Sequence, residues 1–109
     1  MGDYRLTITV RKHGHREVAE ESMERLLEAF EDLHPEVGAV IGANYHLGRL
    51  DATFSVQAEH AQDASTRGSE IFAEAMEAAQ LTPMEIIEIN AVCVGQTTAD
   101  EADRELAAA

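Results

Sequence analysis

Apolar and polar residues alternate strictly from Arg49 to Gln57, which sets Leu50, Ala52, Phe54 and Val56 on one side and Arg49, Asp51, Thr53, Ser55 and Gln57 on the other. A period of two marks a strand with one buried face. The same pattern runs over residues 4 to 12, where Leu6, Ile8 and Val10 oppose Arg5, Thr7, Thr9 and Arg11 and β-branched residues are dense. It returns over residues 84 to 94, with Ile87, Ile89, Ala91 and Cys93 on the core side and Ile86, Glu88, Asn90, Val92 and Val94 on the other. Residues 37 to 44 form a weaker strand. Ala39 and Ile41 face the core there, while Gly38 and Gly42 suit an edge position.

Two stretches change period. From Arg16 to Leu33 the apolar positions Ala19, Met23, Leu26, Leu27, Phe30 and Leu33 fall at helical spacing, with Glu17, Glu20, Glu21, Glu24, Glu28 and Glu31 outward. His34-Pro35 ends this helix, because the residue before a proline avoids the helical region. A second helix over residues 60 to 80 carries Ala61, Ala64, Gly68, Ile71, Phe72, Ala75, Met76 and Ala79 on its inner stripe and stops at Leu81-Thr82-Pro83. Tyr45-His46-Leu47-Gly48 supplies a hairpin turn between the second and third strands.

The resulting order, strand-helix-strand twice, predicts an α+β fold. Its form is the ferredoxin-like βαββαβ sandwich, a four-stranded antiparallel sheet in order 4-1-3-2 with two helices on one face. At 109 residues the chain is one domain, taken as residues 1–95. Residues 96–109 read as an acidic, Ala-rich tail, frayed or disordered, in which Thr98 and Glu101 match a capping box.

Composition narrows the picture. Hydrophobic residues make up 45% but aromatic residues only 5%, with no Trp, so an aliphatic core is expected. Eight basic against twenty-one acidic side chains give a formal charge of −13. That charge opposes phosphate backbones and anionic lipid, so neither nucleic acid nor a membrane is expected as a partner. No run approaches the ~18 apolar residues of a membrane span, and no leader pattern opens the chain. Cys93 is the lone cysteine, read as a buried structural thiol in a cytoplasmic protein. The basic residues are seven Arg and one Lys and Ala is abundant, which fits a GC-rich bacterial source.

Candidate chemistry gathers at two places. The exit of the first strand, the start of the first helix and the hairpin tip share one end of the sandwich. Arg11, His13, Gly14, His15, Arg16, His46 and Arg49 therefore form a candidate anion or ligand site, with backbone N–H groups at a helix start. The placement of this loop resembles that of acylphosphatases, although that family's pattern of spaced glycines, valine and phenylalanine before arginine is not present. An enzyme reading would use His13, His15 or His46 as a general base on an anionic substrate. His13-x-His15 with His46 lacks the further ligands that fix a metal, so no metal and no cofactor is expected. The second place is the open sheet face, where Thr7, Thr9, Thr53, Ile86 and Val92 are the candidate interface. The leading expectation is a non-catalytic binding module, homodimeric through that face or docking another protein, with a small anionic ligand as the further partner class.

Overall fold

The computed structural model describes residues 2–12, 20–81 and 84–96. Its elements are strand β1 (Gly2–Lys12), helix α1 (Glu20–Leu33), a 3-10 turn (Pro35–Val37), strands β2 (Val40–Asn44) and β3 (Arg49–Ala58), helix α2 (Ala61–Ala78) and strand β4 (Met84–Gln96). The four strands form one sheet in the order β2-β3-β1-β4, antiparallel at every junction. This is the ferredoxin-like α+β sandwich, and β4 extends one residue past the expected domain boundary.

Alternation fixes the register. Leu6, Ile8 and Val10 of β1 lie opposite Phe54, Ala52 and Leu50 of β3, and all six are buried. The inner stripe of α2, namely Ala64, Gly68, Ile71, Phe72 and Ala75, and Leu26, Ala29 and Phe30 of α1 close over them. Leu33, expected on that stripe, is instead exposed. The core is also not purely aliphatic. All three phenylalanines meet at its centre, with Phe30 5.3 Å from Phe54 and 6.0 Å from Phe72, ring centroid to centroid. Few aromatic residues in a composition do not make an aliphatic core when every Phe converges on one point.

Two local devices hold the helices and the hairpin. The Arg25 guanidinium donates to the Ala79 carbonyl and, at 3.4 Å, to the Gln80 carbonyl, so a cation from α1 satisfies carbonyls just past the end of α2. In the hairpin, Gly48 has φ of 65°, its N–H donates to the Tyr45 carbonyl at 3.2 Å, and its carbonyl accepts from the Lys12 N–H at 2.8 Å. A side chain at that φ is disfavoured by about 1 to 2 kcal/mol. Gly48→Ala should accordingly lower the urea midpoint by an equivalent amount at unchanged m-value. An unshifted midpoint would show that the turn relaxes freely.

The edges differ. β2 pairs only Val40–Asn44 with Thr53–Arg49, so among the described residues the rest of β3 lacks a strand neighbour on that side. β4 pairs along the whole of β1 but with two register shifts, one near Thr9/Val10 and one near Asp3/Tyr4.

Candidate functional site

The expected basic end forms in part. The Lys12 N–H bond to the Gly48 carbonyl joins the exit of β1 to the hairpin turn. Register places Arg11 opposite Arg49 on one side and Glu85 on the other. The Arg11 guanidinium donates to Glu85 Oε2 at 3.0 Å, and both side chains are substantially exposed. An exposed pair of this kind contributes at most about 1 kcal/mol but does compensate the one cation at the centre of the cluster. His46 sits exposed in the turn, which is shaped by the Leu47 N–H donating to Asn44 Oδ1 at 3.2 Å. Tyr45 reaches back to donate its hydroxyl to Met23 Sδ at 3.7 Å, packing the turn against α1. Arg11, His46 and Arg49 are thus at one end as expected, while His13, Gly14, His15 and Arg16 lie outside the described residues, as do Thr98 and Glu101 of the tail.

The uncovered sheet face is laid out in cross-strand rows. Asp51, Thr9 and Glu88 form one row; Val40, Thr53, Thr7 and Asn90 form the next; Ser55, Arg5 and Val92 form a third. Thr7 and Thr53 meet at 3.2 Å between hydroxyl oxygens, a cross-strand polar contact at the middle of the face. The face carries Arg5, Arg11 and Arg49 against Asp3, Asp51, Glu85 and Glu88, a formal charge of −1 in a chain of −13. The acidic excess therefore lies elsewhere, in large part on the outer sides of α1 and α2.

Two residues of β4 sit differently from the expectation. The register shift near Thr9/Val10 makes Ile86 the partner of Val10, a core residue, so Ile86 belongs to the helix side and not to the open face. There it lines a groove of about 210 Å³ with Phe72, Met76 and Met84. Cys93 lies on the helix side as expected but is exposed, not buried, because β4 is the outermost strand and the helices cover β1 and β3. Thr7, Thr9, Thr53 and Val92 do lie on the open face.

Sequence reasoning missed a cleft of about 570 Å³ where β2 stops short. Asp3, Glu36, Ser55, Gln57 and Arg67 supply its polar lining and Val37 and Val56 its apolar one. A short edge strand next to a proline-initiated turn is the signal that could have pointed to it. Among the described residues no polar or charged side chain is buried and no three of His, Cys, Asp or Glu converge in a way that could hold a metal ion. Catalytic groups are commonly tuned by burial beside a charge. His34, which contacts Glu74 at 2.8 Å and Glu36 at 3.4 Å, is the nearest approach to such a grouping, and it ties the end of α1 to α2 at the surface. Among the described residues, no helix is long and apolar enough to cross a membrane.

No protein-family model matches the chain, and no curated protein matches it. Among solved structures, a REP-associated tyrosine transposase bound to a REP hairpin is similar, at 14% identity and a TM-score of 0.49. The overlay covers 94% of this chain and 61% of that one, so the chain spans less than two thirds of the length of its structural neighbour. That finding corrects the exclusion of nucleic acid drawn from charge, since the neighbour is seen with a REP hairpin. The exclusion is withdrawn, and a likeness this distant assigns no ligand in its place.

Proposed function

We propose that the chain is a small, self-associating interaction module without catalytic chemistry of its own, which uses the uncovered face of its sheet as the contact between copies. The observation that carries the reading is the charge layout. A contact between two copies at −13 each is strongly opposed unless it uses a surface that is nearly neutral, and the open face, at a formal −1 with interspersed signs, is such a surface. Apolar groups flank it, with Val40 67% exposed on one margin and Val92 49% exposed on the other. Arg5 and Arg11 can face Asp51 and Glu88 of the second copy while these margins lose water. A bacterial, cytoplasmic setting fits the Arg- and Ala-rich composition and the single free Cys93.

Sedimentation velocity tests the proposal. The protein should sediment as a dimer or larger at micromolar concentration, and Thr9→Arg, which places a long cation at the middle of the face, should lower the mass while His46→Ala leaves it unchanged. Thr9→Arg that retains the full assembly removes the open face as the contact. A protein that is monomeric throughout removes self-association altogether.

A further inference from the structure

The exposed apolar side chains of β4 are not confined to the open face. Ile89 is 41% exposed on the helix side, where Cys93 is exposed too, and Val92 is 49% exposed on the opposite side. Packing on the open face covers one side of this strand and leaves the other wet. We infer that β4 is a self-pairing edge, which joins the β4 strand of a second copy in antiparallel fashion to make a continuous eight-stranded sheet. The inference rests on self-association but does not require the open face to be the contact.

Three observations carry it. The first is how the two edges are built. Exposed edges are ordinarily blunted by shortness, lysine, proline or bulges. β2 obeys this, with five residues. β4 is 13 residues long and contains no Lys and no Pro. Its two register shifts fall toward its ends and leave Glu88 to Cys93 in unbroken pairing with Thr9 to Tyr4. A regular six-residue ladder thus presents its outer N–H and C=O groups unshared by any other strand among the described residues.

The second is where the charges sit on β4. Its only ionisable acids, Glu85 and Glu88, are in its first half, and Ile89 to Gln96 are uncharged. Antiparallel pairing centred on Asn90 sets Glu88 opposite the second copy's Val92; centred on Ala91, it sets Glu88 opposite the second copy's Val94. Parallel pairing would instead oppose glutamates directly, which is destabilising. The sequence of the strand therefore favours the one orientation that a two-fold axis through the sheet demands.

The third is the flank of α2 that overlooks this edge. Ser69, Ala73 and Met76 line the groove beside Met84 and Ile86. They are small or uncharged, on a helix whose other exposed positions include Glu70, Glu74 and Glu77. Two copies joined edge to edge bring these flanks toward each other, so Ser69, Ala73 and Met76 are the groove residues of the helix layer that the second copy approaches.

Two measurements on the full chain test the inference. In the first, Ile89→Lys puts a charge on the helix side of β4, outside the open face, and should raise the dimer dissociation constant by about tenfold or more in sedimentation equilibrium, with circular dichroism unchanged. Thr9→Arg serves as the comparison. If Thr9→Arg dissociates the protein and Ile89→Lys does not, the open-face contact stands and the edge inference is overturned. If Ile89→Lys dissociates it and Thr9→Arg does not, the reverse holds. A wild-type chain that remains monomeric overturns both and leaves β4 to a different partner. The second measurement needs no variant: amide exchange of Glu88–Cys93 should slow as the protein concentration rises through the dissociation constant. Exchange independent of concentration in a protein that does associate overturns the edge pairing.

Discussion

Replacing Phe30 with alanine is expected to lower the unfolding free energy by about 3 to 5 kcal/mol, the range for removing a fully buried ring from a well-packed core. Phe30 is wholly buried and touches both other phenylalanines, at 5.3 Å and 6.0 Å between ring centroids. It comes from α1, Phe54 from β3 and Phe72 from α2, so its loss unties three elements at once. The tilted and edge-on ring geometries add about 0.5 to 1.5 kcal/mol per pair beyond burial, which places the effect toward the upper end. Single domains of this size have a total stability of about 5 to 15 kcal/mol, so the variant should be marginal at 37 °C. Thermal denaturation of Phe30→Ala and Phe30→Leu checks this. A drop below about 5 °C for the alanine variant would mean that the three rings are not the keystone of the core.

The second large effect concerns Gly68 on the inner face of α2. A Cβ there would overlap the Leu6 Cδ2 methyl and stand 3.5 Å from Phe54 Cζ. Two terms compete on substitution. Glycine costs a helix about 1 kcal/mol relative to alanine, so Gly68→Ala gains propensity while it forces Leu6 aside. Leu6 is completely buried, so its methyl has to shift within the packed core, and overpacking of that kind costs about 1 to 3 kcal/mol. Gly68→Val adds a branched side chain and loses most of the propensity gain, so the packing term wins and a loss of about 2 to 3 kcal/mol is expected. Trimming the obstructing side chain should relieve part of it, so that Gly68→Ala with Leu6→Ala is less damaging than the sum of the single changes by at least about 0.5 kcal/mol. Strict additivity would show that α2 does not approach the sheet as closely as described.

The parts of the fold that follow a single rule were legible in the sequence. Alternation in β1 and β3 is unbroken, and the register Leu6 with Phe54 and Ile8 with Ala52 follows from it. The inner stripe of α2 was likewise readable at every buried position. What was not legible depends on interruptions that side-chain pattern does not encode. The register shift opposite Val10 moves Ile86 to the helix side, although simple alternation from Glu88 puts it on the open face. The burial of Val37 comes from the 3-10 turn that Pro35 initiates, where alternation read a strand already under way. Cys93 is placed on the correct side of β4 by alternation, yet its exposure depends on how far the helices reach across the sheet. An apolar strand signals a need for cover, and it does not say whether the cover comes from the same chain. For the candidate site, Arg11, His46 and Arg49 could be brought together from topology alone, because hairpin and strand exit must share an end. The ion pair that occupies Arg11 could not, because it joins residues 74 positions apart across a shifted register.

β1 pairs with β3 on one side and with β4 on the other. The central strand of the sheet is thus the first to leave the ribosome, and its second neighbour is the last. At a synthesis rate of roughly 5 to 20 residues per second, the two are separated by several seconds. During that interval the nascent chain can close only a three-stranded intermediate, with the hydrogen-bonding groups of β1 open on one side. A premature stop before Met84 would therefore release a species whose central strand is a template for misassembly, and holdase binding during elongation should fall away once Gln96 has cleared the exit tunnel.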